Sequence, residues 1–298
     1  MTAKFLLLVI ALFLFTEKIY AQNSSLQQKI AHICQSKHAV VGVAIMNLET
    51  GDTLTYNGEK HFPMQSVFKL PLALAILSKV DNGIFSLDQS VFISKNDLLP
   101  NTWSPLREKY PDGNIHLPLS ELLQYTVAQS DNNGCDILFG LIGGTGKVNT
   151  CIRQLRIKNI VIAATEVEMH KEWNVQFSNW ATPYAMVKLL DIFYKGHILS
   201  PKSRKFLLKT MENTVTGTDK IKGLLPPGTI VAHKTGSSDR NAKGIKAADN
   251  DAGIVTLPNG RHFAIVVFIT HSTESDKTNA RTIAEISRVV WDYFISKS

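Results

Sequence analysis

Apolar residues in this chain follow two different periods. Runs of β-favouring residues sit near both ends, at 40–46 and 53–56 and again at 230–235, 252–257 and 262–270. Between Pro63 and about Asn213 the spacing is mostly helical, with loops at 96–105 and 110–118. Leu48-Glu-Thr-Gly-Asp52 is a turn signal that closes a hairpin, and Pro258-Asn-Gly260 is a tight turn between two later strands. Strands at both ends of a helical middle imply that the ends pair with each other. The expected fold class is therefore α/β (α+β): an antiparallel sheet flanked by N- and C-terminal helices, with an inserted all-helical domain. Leu26, Ile30 and Cys34 mark the first helix, and Ile283, Ile286, Val290 and Tyr293 mark the last. The sheet domain is expected at 22–62 and 214–298, and the helical domain at 63–213. Leu70 to Leu77 is apolar on nearly every side, as a helix buried all round would be.

Lys4, the apolar run from Phe5 to Phe15 and a polar stretch ending at Tyr20-Ala21 read as a secretory signal at residues 1–21. The run is too short for a mature membrane-spanning helix, although a retained anchor is the alternative. Cleavage after Ala21 implies a periplasmic protein with no membrane attachment, expected as a monomer. The chain is 44% hydrophobic and 19% charged, which excludes disorder. Its net charge of +7 is spread without a Lys/Arg block, so nucleic acid is not an expected partner. Cys34, Cys135 and Cys151 match no zinc or CxxC spacing. They read as small buried hydrophobes, with a single disulfide left open.

Three short motifs lie in order: Ser66-Val-Phe-Lys69, Ser130-Asp131-Asn132 and Lys234-Thr235-Gly236. Each is weak alone, since a Ser-x-x-Lys arises by chance about once in a chain of this length. Together, in this order and behind a signal, coincidence falls well below about one in a hundred. On these motifs the chain resembles the class A serine β-lactamases, and details of its middle resemble their extended-spectrum branch.

The resemblance implies a serine nucleophile, Ser66, whose own N–H lies at a helix start where developing negative charge is stabilised. Lys69, one turn on, helps activate it. Ser130 relays a proton to the leaving amine, Asn132 holds a substrate amide, and Asp131 is structural. Lys234 and Thr235 offer a cation and a hydroxyl to a substrate carboxylate, and Gly236 lets a substrate backbone approach. The N–H of Ser237 is the second oxyanion donor, and its hydroxyl a further carboxylate contact. Glu166, in a stretch at 161–179 that resembles the family's Ω-shaped loop, matches the base that activates water on the acyl-enzyme. Whether Glu166 or Lys69 takes the proton in acylation stays open. Glu168 reads as solvent-facing.

Several positions depart from the common family pattern. His170 stands where an asparagine usually helps hold the hydrolytic water, and is either that or structural. Ala164 and Asn179 replace the ion pair that closes the loop in many members, so its backbone must be held differently. That difference implies a wider cavity for oxyimino cephalosporins. Lys220 is the stand-in for an arginine aimed at the substrate carboxylate. Trp103 is either a wall at the cleft entrance or a lid over the core.

No HxHxD, HExxH or GxSxG occurs, and Gly143-Gly-Thr-Gly-Lys147 lacks the glycine spacing and hydroxyl of a phosphate loop. No metal or organic cofactor is expected. The implied activity is hydrolysis of the β-lactam amide of penicillins and cephalosporins, with small-molecule substrates as the only partners. The alternatives are a peptidoglycan DD-peptidase, which shares the three motifs, and a non-catalytic β-lactam sensor domain.

Overall fold

The computed structural model describes residues 25–196 and 198–297; the expected signal at 1–21 lies outside them. After α1 (residues 25–35), β1 (Val40–Asn47) and β2 (Thr53–Tyr56) form the expected hairpin. In the middle of the chain, short strands β3 (Phe62–Pro63), β4 (Ser90–Ile93), β5 (Ile115–Pro118), β6 (Ile160–Val161) and β7 (Trp180–Ala181) alternate with helices. The helices are α2 (Lys69–Asp81), α3 (Pro105–Lys109), α4 (Leu119–Ala128), α5 (Asn132–Ile142), α6 (Thr145–Gln154), α7 (Glu166–Met169), α8 (Pro183–Tyr194) and α9 (Pro201–Glu212). β8 (Val231–Ser237), β9 (Asp249–Thr256), β10 (His262–Thr270) and α10 (Asp276–Ile295) follow.

The two ends of the chain do pair. β1 and β2 join β8, β9 and β10 in one antiparallel sheet of order β2-β1-β10-β9-β8, with Val43 opposite Val267 and Lys234 opposite Ala252. Strand alternation then divides the core in two. Val41, Val43, Ile45, Ile265 and Val267 face α1 and α10, meeting Ile30, Ile283, Ile286 and Val290. Ala44, Met46, Val266 and Phe268 face the helical body. α2 runs through the middle of that body, buried without a break from Lys69 to Leu77, which is why its sequence is apolar all round. Each such leucine or isoleucine contributes about 1.5–3 kcal/mol by leaving water.

The helical insert also carries two small ribbons, β3-β7-β6 and β4-β5. Strands of two to four residues are too short to show a period of two, so the sequence reads 110–118 as loop although β5 lies inside it. β9 begins at Asp249, earlier than expected, because Asp249, Asn250 and Asp251 are buried polar residues in a strand where apolar ones are the rule. The three cysteines are all free. Burial pushes the Cys34 thiol up to about 12 and Cys135 well up too, which keeps both unreactive. No helix of the described residues is long and apolar enough to cross a membrane.

Candidate active site

Ser66 does not open an α-helix; it sits in a 3-10 turn, Gln65–Phe68, that leads into α2. Side chains three apart eclipse in such a turn, which places Lys69 directly over Ser66. Lys69 Nζ lies 3.0 Å from Ser66 Oγ and 2.9 Å from Glu166 Oε1. The same ammonium donates to Ser130 O at 2.8 Å and Asn132 Oδ1 at 2.5 Å, so a fully buried lysine has every hydrogen engaged. Ser66 Oγ is itself 3.4 Å from Glu166 Oε1. Gln65, just before the nucleophile, holds a left-handed φ of 46°, and its amide donates to Gln176 Oε1 at 2.7 Å. No sequence pattern signals that contact, which ties the nucleophile's turn to the loop bearing Glu166.

The second motif is shaped by Asp131. Its buried carboxylate caps α5 through Gly134 N (2.7 Å) and takes Leu106 N and the Ser104 hydroxyl, the structural part expected of it. Ser130 is forced into a left-handed turn, φ 60°, with its hydroxyl accepting from Lys234 Nζ at 2.8 Å. Such strain in a non-glycine residue marks a position the surroundings over-determine. Asn132 Nδ2 donates to Thr102 Oγ1 at 2.7 Å.

Along β8, Lys234 is fully buried. Burial and the neighbouring Lys69 hold its ammonium well below the usual lysine range, while Glu166 and Asp251 work the other way. Thr235 shares a 2.6 Å hydroxyl contact with Thr216, a residue the motifs do not reveal. Gly236 is needed for an approach within the protein: a Cβ there would stand 2.4 Å from Met64 O and 3.1 Å from Ser66 N. The strand edge thus presses against the nucleophile's backbone, and Ser237 follows with its side chain exposed.

The loop at 161–179 contains α7 and a 3-10 turn, Trp173–Phe177. Its neck is closed by Asn179, fully buried, whose Oδ1 accepts from Ala163 N (2.7 Å) and Ala164 N (2.9 Å) and whose Nδ2 donates to Ala164 O (2.8 Å). One neutral amide does here what an ion pair would otherwise do. Asp136 of α5 accepts Glu166 N (2.8 Å) and Val167 N (2.9 Å), capping α7 from outside. Burial pushes its carboxyl up to about 6. The sequence reading missed Asp136, although it lies four residues past Asn132, one turn along the same helix face. Glu168 is not simply solvent-facing: it accepts Thr165 N at 2.8 Å in a capping box that starts α7. His170 Nδ1 donates to Glu166 O at 2.7 Å, which in the neutral ring leaves the lone pair on Nε2, and the residue lines the cleft.

Of these parts Ser66, Asn132, Glu166 and His170 line a cleft of about 680 Å³, together with Trp103, Gln176 and Ser237, while Lys69 and Lys234 are buried behind its wall. Trp103 is 55% exposed and its indole N–H donates to Gln129 O at 2.9 Å, so it is a fixed wall at the entrance and no lid over the core. Lys220 departs from expectation. Its ammonium is paired with buried Asp249 at 2.6 Å, because a lysine removed from water behind the strand requires a partner. It therefore offers positive charge from behind and no free hand to the cleft. Among the described residues no cluster of three or more histidine, cysteine or carboxylate side chains is placed to hold a metal.

A hydroxyl held between a lysine and a carboxylate, with a second serine on a second lysine, defines a serine acyl-transfer hydrolase. Residues 25–294 match the family model described as the β-lactamase enzyme family. The chain is 47% identical over 295 residues to β-lactamase VEB-1 of Pseudomonas aeruginosa, covering 98% of each. It is 40% identical over 277 residues to the extended-spectrum β-lactamase PER-1 of the same species, covering 93% of this chain and 90% of that one. The crystal structure of TLA-1 extended-spectrum β-lactamase superposes with a TM-score of 0.90 at 56% identity, covering 92% of this chain and 99% of that one. The chain belongs to the β-lactamase enzyme family, as a class A serine β-lactamase of the extended-spectrum branch.

Proposed function

We propose that Ser66 attacks the lactam carbonyl, its proton passing into the Lys69–Glu166 pair beside it, to form an acyl-enzyme as the ring C–N bond breaks. Ser130 gives its hydroxyl proton to the departing nitrogen and is reprotonated with the proton taken from Ser66, handed on through Lys69, so that Glu166 is a carboxylate when the acyl-enzyme is complete. A water held by Glu166 then adds to the ester, Glu166 taking its proton; the bond to Ser66 Oγ breaks as Glu166 returns that proton to it, and the ring-opened acid is released. The N–H groups of Ser66 and Ser237 stabilise the oxyanion in both steps. Asn132 and the Trp103 wall orient the acylamino side, and Lys234, Thr235 and Ser237 take the substrate carboxylate, with Lys220 held behind them by Asp249. The free Nε2 of His170 accepts a hydrogen bond from solvent beside Glu166.

The contact that carries this reading is the Lys69 ammonium spanning Ser66 Oγ and Glu166 Oε1 at 3.0 and 2.9 Å. A carboxylate so placed separates turnover from mere trapping, which is what a DD-peptidase or sensor would do. The test is intact-mass spectrometry of Glu166→Ala with benzylpenicillin. A persistent adduct on Ser66 is expected, and its rapid loss sinks the role of Glu166.

The cleft volume and the Asn179-closed loop support oxyimino cephalosporins as substrates, and the PER-1 and TLA-1 relatives carry the extended-spectrum description. Purified enzyme that turns over benzylpenicillin but not ceftazidime contradicts this. The apolar run after Lys4 supports export to the periplasm as a monomeric enzyme after cleavage at Ala21; N-terminal sequencing of the exported protein tests the cleavage site.

A further inference from the structure

Ala232 packs into the core of the helical body and Val231 into the core under α10, so by alternation Lys234 faces the first and His233 the second. His233 is fully buried, and its Nδ1 stands 2.9 and 3.0 Å from the two carboxylate oxygens of Asp251 on β9, also fully buried. A carboxylate only accepts, so Nδ1 carries the hydrogen and Nε2 a lone pair. That Nε2 has no partner among the described residues. Burying such a pair costs desolvation that an apolar pair would avoid. Space has also been made for it: Gly253 lies opposite His233, where a Cβ would stand 2.6 Å from the histidine's own Cβ.

Asp251 does two further things. It accepts Ile221 N at 3.2 Å, one of five polar contacts that fasten segment 214–221 along the edge of the sheet. The others are Thr214 Oγ1 to His233 O at 2.7 Å, Thr216 Oγ1 to Thr235 Oγ1 at 2.6 Å, and Lys220 Nζ to Asp249 at 2.6 Å and to Asn250 O at 3.3 Å. Asp251 also places a negative charge one layer behind Lys234. The charged groups around Lys234 are Lys69 and Lys220, which oppose its charge, and Glu166 and Asp251, which favour it. Those around Asp251 are His233, Lys222 and Lys234. Glu166 lines the cleft; Asp251 lies outside it, behind the sheet.

We propose that His233 and Asp251 are a positioning pair for the carboxylate-binding side of the cleft. His233 orients the carboxylate, which supports the Lys234 ammonium from behind the sheet and holds segment 214–221 against β8. The inference rests on the reading of Lys234 as the cation that meets the substrate carboxylate.

The test is kcat and KM for benzylpenicillin from about pH 5 to about pH 10 in the wild type, Asp251→Asn, His233→Leu, His233→Asn and Lys234→Ala. Asp251→Asn keeps the shape and loses the charge; its alkaline limb of kcat/KM should move down by about one pH unit, chiefly through KM. His233→Leu removes the ring donor and should move the limb in the same direction. His233→Asn returns an N–H to the carboxylate and should restore it. Wild-type limbs in both Asp251→Asn and His233→Leu overturn the proposal. Should Asp251→Asn fail to fold, superimposable profiles for His233→Leu and His233→Asn overturn it alone. A wild-type KM in Lys234→Ala would instead remove the reading of Lys234 on which the inference stands.

Discussion

Ser66 Oγ and Glu166 Oε1 lie 3.4 Å apart, although one hundred residues of chain separate them. At that spacing a single water can touch both oxygens, which is the geometry that hydrolysis of a serine ester requires. Neither residue is held there by its local sequence alone. Ser66 is fixed by the 3-10 turn and by β8 pressing from behind; Glu166 is fixed by Asp136 and Asn179 at two points of its loop.

Asn179→Ala tests the second of those points. The change leaves Ala163 N, Ala164 N and Ala164 O without the amide that satisfies them. Each buried group so orphaned costs about 1–3 kcal/mol, less where water enters. A loss of about 2–4 kcal/mol in chemical denaturation is expected, with deacylation slowed more than acylation because Glu166 is the one base for the deacylating water, whereas Lys69 also stands beside Ser66 for acylation. Equal loss in both steps, read by pre-steady-state kinetics, would show that the neck does not act through Glu166.

Gly236→Ala tests the hold on the nucleophile. A Cβ at 2.4 Å from Met64 O meets backbone, which cannot rotate away. The strand must shift from Ser66, at a cost of about 1–3 kcal/mol in stability. Displacing a reacting group by about 1 Å typically lowers the rate about 10²-fold, so kcat should fall by that order while the fold persists. Retention of wild-type kcat would mean that β8 does not set the position of Ser66.

What the sequence discloses and what it hides divide along physical lines. The hairpin, α2 and the pairing of the two chain ends are legible because apolar period is a local signal set by burial. The three motifs are legible because reactive residue types at fixed spacing are rare. The missing ion pair at Ala164 and Asn179 is visible as an absence, but the amide that replaces it is not, since an asparagine in a loop is ordinarily a turn residue. Gln65 and Gln176 escape for the same reason: a contact between two neutral amides across 111 residues leaves no pattern. Lys220 is misread because its partner, Asp249, sits in a strand whose polar start conceals it.

Gln176→Leu tests the contact between those glutamines. Gln65 Nε2 would lose its acceptor beside a left-handed backbone that the surroundings must hold in place. The expected loss is about 1–3 kcal/mol of stability, together with a lower acylation rate, because the strained residue directly precedes Ser66. Acylation measured by stopped flow should fall even with Glu166→Ala as the background, where deacylation no longer contributes. An unchanged acylation rate there would confine Gln176 to the loop.

Asp136 gives the protein a pH dependence whose direction is fixed by its environment. Burial raises its carboxyl to about 6, with Glu166 adding to the rise and the two backbone N–H bonds opposing it. An unfolded aspartate titrates near 3.9, so the native state binds this proton more tightly than the unfolded chain does. The stability this group provides is therefore complete below about pH 4 and declines as pH rises toward about 6. Asp136→Asn carries no such proton, so its stability relative to the wild type should improve between about pH 4 and about pH 6 and stay level above. Activity should move the other way. Only the ionised carboxylate offers one oxygen to each of the Glu166 and Val167 N–H groups, and an amide has a single acceptor for both. The margin of the asparagine variant over the wild type in denaturation midpoint should thus be larger at neutral pH than at about pH 4, while the variant deacylates more slowly than the wild type, as expected where a destabilised group is kept for catalysis. A stability difference that is flat from about pH 4 to about pH 7 would mean that Asp136 does not carry the buried charge on which this trade depends.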